Sequence, residues 1–359
     1  MASDSNQISH LKATLHISFN PPPMAPTSLP APATETDQEH ITALKNVNEI
    51  ISTLPKSQGW WFDYLFQYKG FWLSTNYAIK GHMLLEDHRF IFKPDDIILS
   101  TFPKCGTTWL RALLFATVSR NDYDFSNHPL LTRNPQDSVP FLEAFVCTNP
   151  SVLENLPSPR LISTHLPFSF FPESLTTASG YGKFVYIGRN PKDVLVSKWH
   201  FAQKLRPKEL PPFSFEEAFE MFCNGVSHYG PYWDHVLSYW RASLEAPEKV
   251  LFLKYEDMKK EPVVHVKRLA EFTGKPFSVE EEDNGVVEEI IKLCSFETLS
   301  NLEVNKGSRK INENFVIKHS DFFRKGETGD WKNHLTPEMA ARIDRITEEK
   351  LQGSGLTFD

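Results

Sequence analysis

Residues 97–114 join an apolar run, a glycine loop and a helical pattern without interruption. Ile97–Thr101 has the length and apolarity of a buried strand. Lys104 and Gly106 then form a tight loop, and Trp109 begins a run with helical spacing. Such a loop binds anions, because the unpaired backbone N–H groups and the dipole of the helix N-terminus converge there. The lysine precedes the glycine, whereas the common nucleotide loop has the order Gly-Lys-Ser/Thr. The stretch therefore predicts a phosphate-binding site and leaves its chemistry open.

Composition limits the partners and the compartment. A net charge of −7 argues against nucleic acid, which requires a basic face, so an anion site must be a local cluster of Lys and Arg. The four cysteines form no Cys-x-x-Cys pair, which indicates a reducing compartment and no zinc site. The sequence has no apolar run near the roughly 18–20 residues that span a bilayer and no secretory signal. We expect a soluble cytoplasmic protein with no membrane partner.

Domain organisation follows from the Ser-, Thr- and Pro-rich composition of residues 1–40, which predicts a disordered N-terminal tail. An organelle transit peptide is the alternative, but such peptides are rich in arginine and this segment has none. Residues 41–359 show no internal repeat and no linker, and they are predicted to form one α/β domain.

The pattern along the chain predicts a parallel sheet. Short apolar runs at 97–101, 160–164, 183–188 and 250–255 are separated by helical sequence, which is typical of parallel strands with helices on both faces. Predicted helices cover residues 41–54, 76–86, 109–119, 193–204, 215–223, 233–245, 263–273, 280–294 and 337–351. The aromatic run at 58–72 is predicted to pack as a lid against the core.

Functional side chains follow each predicted strand. Lys104 follows the first strand, His165 the second, Arg189 the third and Tyr255 the fourth. Ligands of open parallel sheets bind beyond the carboxyl ends of the strands, so these residues should meet. The set predicts a site that combines an anion-binding cluster with a base.

Four motifs in this order resemble the soluble sulfotransferases, which use 3′-phosphoadenosine 5′-phosphosulfate (PAPS). They are Lys-Cys-Gly-Thr-Thr-Trp at 104–109, Thr-His-Leu-Pro at 164–167, Arg-Asn-Pro-Lys-Asp at 189–193, and Phe-Arg-Lys-Gly at 323–326 with Gly-Asp-Trp-Lys at 329–332. The similarity runs from about residue 54 to the C-terminus, and the segments between the motifs resemble the plant branch. The resemblance implies a three-layer, P-loop-like nucleotide-binding α/β fold.

The resemblance also implies roles for individual residues. His165 would be the general base that takes the proton of a hydroxyl acceptor, and Lys104 would stabilise the leaving phosphate. The implied nucleotide-binding residues are Lys104, Cys105, Gly106, Thr107, Thr108, Trp109, Arg189, Ser197, Tyr255, Ser295, Phe296, Arg324, Lys325 and Gly326. Arg189, Ser197 and the Arg324–Gly326 segment would take the 3′-phosphate. The reaction would need no metal.

The aromatic residues Phe141, Phe168, Trp199 and Phe201 flank the motifs and are predicted to line an acceptor pocket, with Phe170 and Phe171 as further candidates. Such a pocket suits a flavonoid first, and also a hydroxyjasmonate, a steroid or another phenol or alcohol; a desulfo-glucosinolate is a further alternative. Pro337 and Ala341 interrupt the dimerisation pattern of animal members, so a monomer is expected. Ser163 stands where many animal members have a lysine.

Other interpretations of these residues stay open. Arg189 could form a structural ion pair with Asp193, and Cys105 could be redox-active at a helix N-terminus, although we treat it as a neutral variant of a common serine. A P-loop kinase or NTPase, or a nucleotide-binding module without catalysis, are the alternative functions. The loop order argues against the first, and the joint presence of Lys104 and His165 argues against the second.

Overall fold

The computed structural model describes residues 47–87, 90–177, 179–312 and 315–358. The predicted disordered tail, and the start of the helix predicted at 41–54, lie outside these residues; residues 47–53 are helical. The strands are β1 (Lys56–Gln58), β2 (Tyr64–Tyr68), β3 (Phe71–Leu73), β4 (Ile97–Thr101), β5 (Leu161–Thr164), β6 (Lys183–Gly188), β7 (Val250–Lys254), β8 (Ser308–Asn312) and β9 (Phe315–Lys318).

The helices are numbered from the segment at 47–53. They are α1 (47–53), α2 (Lys80–Glu86), α3 (Thr107–Val118), α4 (Pro135–Ser138), α5 (Leu142–Thr148), α6 (Ser151–Glu154), α7 (Glu173–Thr176), α8 (Pro191–Leu205), α9 (Phe215–Cys223), α10 (Tyr232–Glu245), α11 (Tyr255–Lys260), α12 (Pro262–Phe272), α13 (Val279–Asp283), α14 (Val286–Leu293), α15 (Phe296–Asn301) and α16 (Pro337–Leu351). A π-helical turn at Thr75–Ile79 leads into α2, and short 3₁₀ turns lie at Pro129–Leu131, Phe168–Phe170, Glu303–Asn305, His319–Phe322 and Asp330–Asn333. Within the described part of the chain, every helix is too short or too polar to cross a bilayer.

The central sheet has four parallel strands in the order β5-β4-β6-β7. Its register pairs Ser100 with Thr164, Thr101 with Ile187, and Gly188 with Lys254, so the strands end nearly level at one edge. Almost every strand residue is buried, which is why the sequence shows continuous apolar runs rather than alternation. The predicted α/β fold with a parallel sheet between helices is confirmed.

Aromatic packing fixes one face of the sheet. Tyr186 of β6 stacks on Tyr239 of α10, with ring centroids 4.3 Å apart, and Phe184 packs edge-on against the same helix. Helix α3 contacts strand β4, helix α12 contacts strand β7, and the two helices contact each other. Side chains of a strand alternate between faces, so one strand can serve both helical layers.

The predicted helix at 280–294 is two helices. Gly285 has a left-handed φ of 73° and begins α14, so the chain turns between α13 and α14. Glycine takes this conformation without the steric penalty of a Cβ atom. The other predicted helices are present, and the ends that lie within the described residues differ by up to two residues, except that the helix predicted at 76–86 starts as the π-helical turn Thr75–Ile79 and continues as α2.

Two sheets were not predicted from the sequence. Strands β1, β2 and β3 form an antiparallel sheet within the aromatic run, and β8 pairs with β9. The run contributes to the core through Trp60, whose indole N–H donates to the Val226 carbonyl at 3.0 Å. Trp61 and Phe62 instead face the cavity described below.

Candidate active site

A cavity of about 740 Å³ opens at the carboxyl edge of the central sheet. It is lined by residues from all four motifs and from the segments around them. The predicted site residues on its wall are Lys104, Gly106, Thr107, Thr108, Trp109, Phe141, His165, Arg189, Ser197, Phe201, Tyr255, Ser295, Phe296, Arg324, Lys325 and Gly326. Residues far apart in sequence thus meet in one place.

The loop between β4 and α3 is shaped for an anion. Lys104 has a left-handed φ of 77°, and Gly106, with φ 109°, is the residue that precedes α3. A Cβ atom on Gly106 would lie 2.8 Å from the Tyr255 ring, so only glycine fits both the backbone and the space. Among the residues that the structure describes, no side chain caps α3, and the first N–H groups of a helix have no partner within it. These groups are therefore available to a ligand.

Cations surround this helix terminus. The Lys104 ammonium lies 3.9 Å from the centroid of the Phe201 ring. Burial, and then the charges of Lys204 and Arg189, lower the pKa of Lys104 to about 7. Opposite charge favours the ammonium form, so a bound phosphate or sulfate ester would raise this pKa again. The site is electrostatically prepared for anions.

Arg189 leaves the end of β6 toward the same point. Its guanidinium donates to the Glu327 carbonyl at 2.7 Å and to the Lys104 carbonyl at 3.4 Å. It lies 3.7 Å from the Asp193 carboxylate, so the ion pair that was the alternative interpretation is present. The Asp193 oxygens also accept from backbone N–H groups of Gly329 and Trp331, at 2.7 and 3.0 Å. Asp193 therefore ties the start of α8 to the C-terminal motif.

Asp330 holds the two basic residues of that motif. Its carboxylate pairs with Arg324 and accepts from Lys325 at 2.5 Å and from Asn333 at 3.0 Å. Burial alone would raise the pKa of Asp330, but the hydrogen bonds from Lys325 and Arg324 outweigh it and hold the pKa well below its usual range. The two cations are thus fixed beside the cavity by a permanently charged partner.

An aromatic compartment adjoins the cations. Trp109 meets Tyr255 edge-on at 5.5 Å, and the Arg189 guanidinium lies 4.4 Å from the Tyr255 ring centroid. Phe296 and Phe323 pack against each other at 6.1 Å and also line this part of the cavity. Flat aromatic surfaces beside phosphate-binding cations are suited to the base of a nucleotide.

His165 lies where β5 ends and faces the cavity. Its Nδ1 atom is 2.7 Å from the Thr101 carbonyl oxygen. A carbonyl oxygen can only accept, so Nδ1 carries the proton and Nε2 keeps its lone pair. Burial lowers the pKa of His165 well below 6.5, although the Thr101 carbonyl opposes this. The ring is therefore neutral near neutral pH and able to take a proton at Nε2.

The backbone of His165 is also fixed. Its N–H donates to the Glu143 carboxylate at 3.0 Å, and its carbonyl lies 2.9 Å from Nε2 of His235. The same Glu143 oxygen accepts from the Tyr229 hydroxyl at 3.2 Å. Glu143, Tyr229 and His235 were not predicted as site residues. Their contacts with His165 depend on the fold, and nothing in their residue types or local sequence indicates them.

Three predicted site residues do not line the cavity. The Cys105 side chain is buried beneath its loop, and burial raises the pKa of this thiol, opposite to the acidification expected of a redox-active cysteine. Phe168 packs on Phe184 and Tyr239. Trp199 packs on Phe215 and donates its indole N–H to the Phe213 carbonyl at 3.2 Å.

Phe170 and Phe171 are likewise core residues. Other parts of the protein cover these two rings, so neither of them lines the cavity. Further cavity residues that were not predicted include Trp61 and Phe62 from the aromatic run, Ser74 and Tyr77 from the segment after β3, His228 and Tyr229 from the turn after α9, and His319 and Phe322 from the segment after β9.

A helix N-terminus free to bind an anion, a set of converging cations and a neutral imidazole in one cavity define a nucleotide-dependent group-transfer enzyme. The comparisons with known proteins specify which one. The family model described as "Sulfotransferase domain" matches residues 94–355, and the chain belongs to this family of sulfotransferases.

Sequence relatives support the same family. Cytosolic sulfotransferase 16 of Arabidopsis thaliana is 48% identical over 316 residues, covering 87% of this chain and 92% of the relative. Flavonol 4′-sulfotransferase of Flaveria chlorifolia is 47% identical over 297 residues, covering 82% and 90%. The protein is therefore placed among the plant cytosolic sulfotransferases by sequence.

Solved structures share the fold. An Arabidopsis thaliana sulphotransferase is 41% identical with a TM-score of 0.68, and the match covers 92% of this chain and 100% of that one. Mouse sulfotransferase SULT7A1, crystallised in complex with PAP, is 27% identical with a TM-score of 0.59, and that match covers 81% and 95%.

Proposed function

We propose that this sulfotransferase moves the sulfuryl group of PAPS to a hydroxyl of a small apolar or aromatic acceptor. The donor is supported by the mouse relative, whose structure contains PAP, and by the basic and aromatic residues that line the cavity. The chain offers two neighbouring clusters in this cavity, the α3 N-terminus with Lys104 and the C-terminal motif with Arg324 and Lys325.

The nucleotide is assigned to these two clusters. The backbone N–H groups at Thr107 and Thr108, with Lys104, are assigned to the 5′-phosphosulfate. Arg189, Ser197 and Arg324–Gly326 are assigned to the 3′-phosphate, where a forked guanidinium suits paired oxygens. Trp109, Tyr255, Ser295 and Phe296 would enclose the adenine side.

The observation that carries the proposal is the hydrogen bond between Nδ1 of His165 and the Thr101 carbonyl. It leaves Nε2 as an acceptor of the hydroxyl proton, in the cavity that Lys104 also lines. The deprotonated oxygen attacks sulfur, and the bond from sulfur to the bridging phosphate oxygen breaks. The electron pair leaves with the 3′,5′-bisphosphate, and Lys104 neutralises the charge that develops there.

The acceptor is assigned to the aromatic half of the cavity. Phe141 lies 5.0 Å from the His165 ring and Tyr229 lies 5.3 Å from it, so the base is flanked by aromatic surfaces that suit a flat apolar molecule. A flavonol is our first candidate, in line with the Flaveria chlorifolia relative. Steroids, hydroxyjasmonates and desulfo-glucosinolates are the other classes to be tested. The names of the relatives support a cytosolic location, and a monomer stays a prediction.

The test incubates the purified full chain with sulfur-labelled PAPS and a panel that represents each of these classes. His165→Ala is assayed in parallel. Label in one acceptor class, lost in the variant, supports both the reaction and the base. Binding of the nucleotide with no transfer in any class would favour a binding module, and failure to bind it would refute the proposal.

A further inference from the structure

The cavity has a polar position away from the base, beside the residues assigned to the acceptor. Ser74 and His228 line this wall, and Nε2 of His228 lies 2.9 Å from the Ser74 hydroxyl. Their neighbours on the wall are largely aromatic. Trp61 and Phe62 both contact the His228 ring edge-on, at 5.4 and 5.5 Å.

His228 is held rigidly. Its carbonyl accepts from the buried Lys198 ammonium at 2.6 Å. The next residue, Tyr229, has a left-handed φ of 66°, and its N–H donates to the Trp72 carbonyl at 2.8 Å. The turn is thus fastened to α8 on one side and to β3 on the other. A side chain fixed before a ligand arrives loses little entropy on binding, which is what a selective contact requires.

One nitrogen of His228 remains available. Nδ1 makes no hydrogen bond to any residue in the described part of the chain, and the side chain lines the cavity. The Ser74 hydroxyl can donate to Nε2 or accept from it. Nδ1 can correspondingly donate to a bound molecule or accept from it, so the pair suits either a hydroxyl or a carbonyl group.

The pair is uncharged. Burial, and then the charges of Lys198 and His165, lower the pKa of His228 well below 6.5. A neutral imidazole offers a directional hydrogen bond, and it adds no charge attraction that would favour the binding of a carboxylate.

The position of the pair relative to the base is defined by Tyr229. The Tyr229 ring lies 5.3 Å from the His165 ring and 4.4 Å from the His228 ring. The three rings are therefore contiguous along one wall. A molecule whose reacting hydroxyl meets His165 can reach His228 with a group at its other end.

We propose that His228, oriented by Ser74, selects acceptors that carry a second, uncharged polar group remote from the hydroxyl that is sulfated. The inference rests on the proposed function, since it takes His165 as the place of reaction. The acceptor class becomes a flat apolar molecule with a hydroxyl or carbonyl at each end.

The test compares two matched pairs of probes on the full chain, with and without PAP. The pairs are kaempferol with galangin, which lacks the hydroxyl on the pendant ring, and estradiol with 17-deoxyestradiol. Titration calorimetry gives the ratio of dissociation constants within each pair for the wild type, His228→Phe and Ser74→Ala. The phenylalanine keeps the ring packing, and Phe145→Leu is the control for a change in shape elsewhere in the same cavity.

The wild type is expected to prefer the polar member of at least one pair by roughly three- to tenfold, the value of one partly exposed hydrogen bond. His228→Phe and Ser74→Ala should each abolish the preference, and Phe145→Leu should weaken the binding of both members of a pair by the same factor. A wild type that binds no pair, or binds both members equally, overturns the inference, and so does a preference that survives His228→Phe.

Transfer from labelled PAPS is measured on the same samples, so that the two proposals fail separately. Transfer without discrimination overturns the role of His228 and leaves the sulfotransferase proposal standing. Discrimination in binding without any transfer supports the role of His228 and refutes the proposed donor or base.

Discussion

Replacing His165 with asparagine should remove the base while keeping its anchor. The asparagine amide can donate to the Thr101 carbonyl in place of Nδ1, which lies 2.7 Å from it. It has no atom that takes a proton near neutral pH. Positioned general bases contribute roughly 10²–10⁴-fold to rate, which corresponds to about 3–5 kcal/mol of activation free energy. We expect kcat to fall by that factor.

Nucleotide binding should not change in this variant. The backbone at residue 165 is held by Glu143 and His235, and neither contact uses the imidazole of His165. The assay is initial rates with labelled PAPS, together with calorimetric titration of the 3′,5′-bisphosphate. His165→Gln, which extends an amide toward the Nε2 position, is the matched control and should show the same loss.

The pH profile tests the same reasoning independently. Burial holds the pKa of His165 well below 6.5, so the wild-type base is already deprotonated at neutral pH. At saturating PAPS, whose anionic groups keep Lys104 protonated, we expect kcat/KM for the acceptor to be level between pH 6.5 and 8 and to fall only as the pH drops toward the depressed pKa of His165. An asparagine variant with a tenth or more of the wild-type rate, or an acidic limb centred at 6.5 or above, would refute the assignment.

Three further predictions concern the cations and the fold. Lys104→Met should lower the single-turnover rate by roughly 10²–10³-fold, the effect of losing one group that stabilises developing charge; an unchanged rate would contradict this. Arg324→Ala should weaken the binding of the 3′,5′-bisphosphate at least tenfold, as measured by calorimetry, because hydrogen bonds to charged groups contribute about 1.5–3 kcal/mol. The same variant should leave the binding of adenosine 5′-monophosphate unchanged. Burial lowers the pKa of His235 to about 3, so the folded state resists a proton that the unfolded state binds below about 6.5. His235 alone should therefore lower the free energy of unfolding by about 2 kcal/mol between pH 7.5 and 5, within a larger fall to which His165 and His228 also contribute. Urea unfolding of His235→Gln should show a pH dependence that is smaller by that amount.

The central sheet could be predicted because its physical signal is local. Each of β4 to β7 is a short apolar run bounded by helical sequence, and burial on both faces makes the run continuous. The strands β1, β2 and β3 carry no such signal. Their alternation is hidden by aromatic residues on both sides, with Leu65 buried and Tyr64 half exposed. Pairing across turns, and not local composition, defines them.

The residues of the site likewise fall into a group that could be predicted from the sequence and a group that could not. Lys104, His165 and Arg189 were predictable because a parallel sheet forces whatever follows its strands to one edge. Phe141 and Phe201 could not be told from Phe168 and Trp199, because an aromatic side chain is equally suited to a core and to a cavity wall. The distinction depends on whether neighbouring segments cover the ring. Phe168 is covered by Phe184 and Tyr239.

Strand order explains why the cavity has two chemically different ends. The proposed base follows the edge strand β5, and Lys104 follows β4, its immediate neighbour. Arg189 follows β6 and Tyr255 follows β7, at the opposite edge. Adjacent strands lie about 4.8 Å apart, so the base and the cation for the leaving oxygen are close, while the aromatic contacts of the nucleotide are two strands further away. In the proposed mechanism the sulfur lies between His165 and Lys104, so the acceptor is expected to approach from the side of His165. The order β5-β4-β6-β7 thus places the proposed base and the Tyr255 contact of the nucleotide at different ends of the sheet edge, and Tyr229 and His228 lie beside the base.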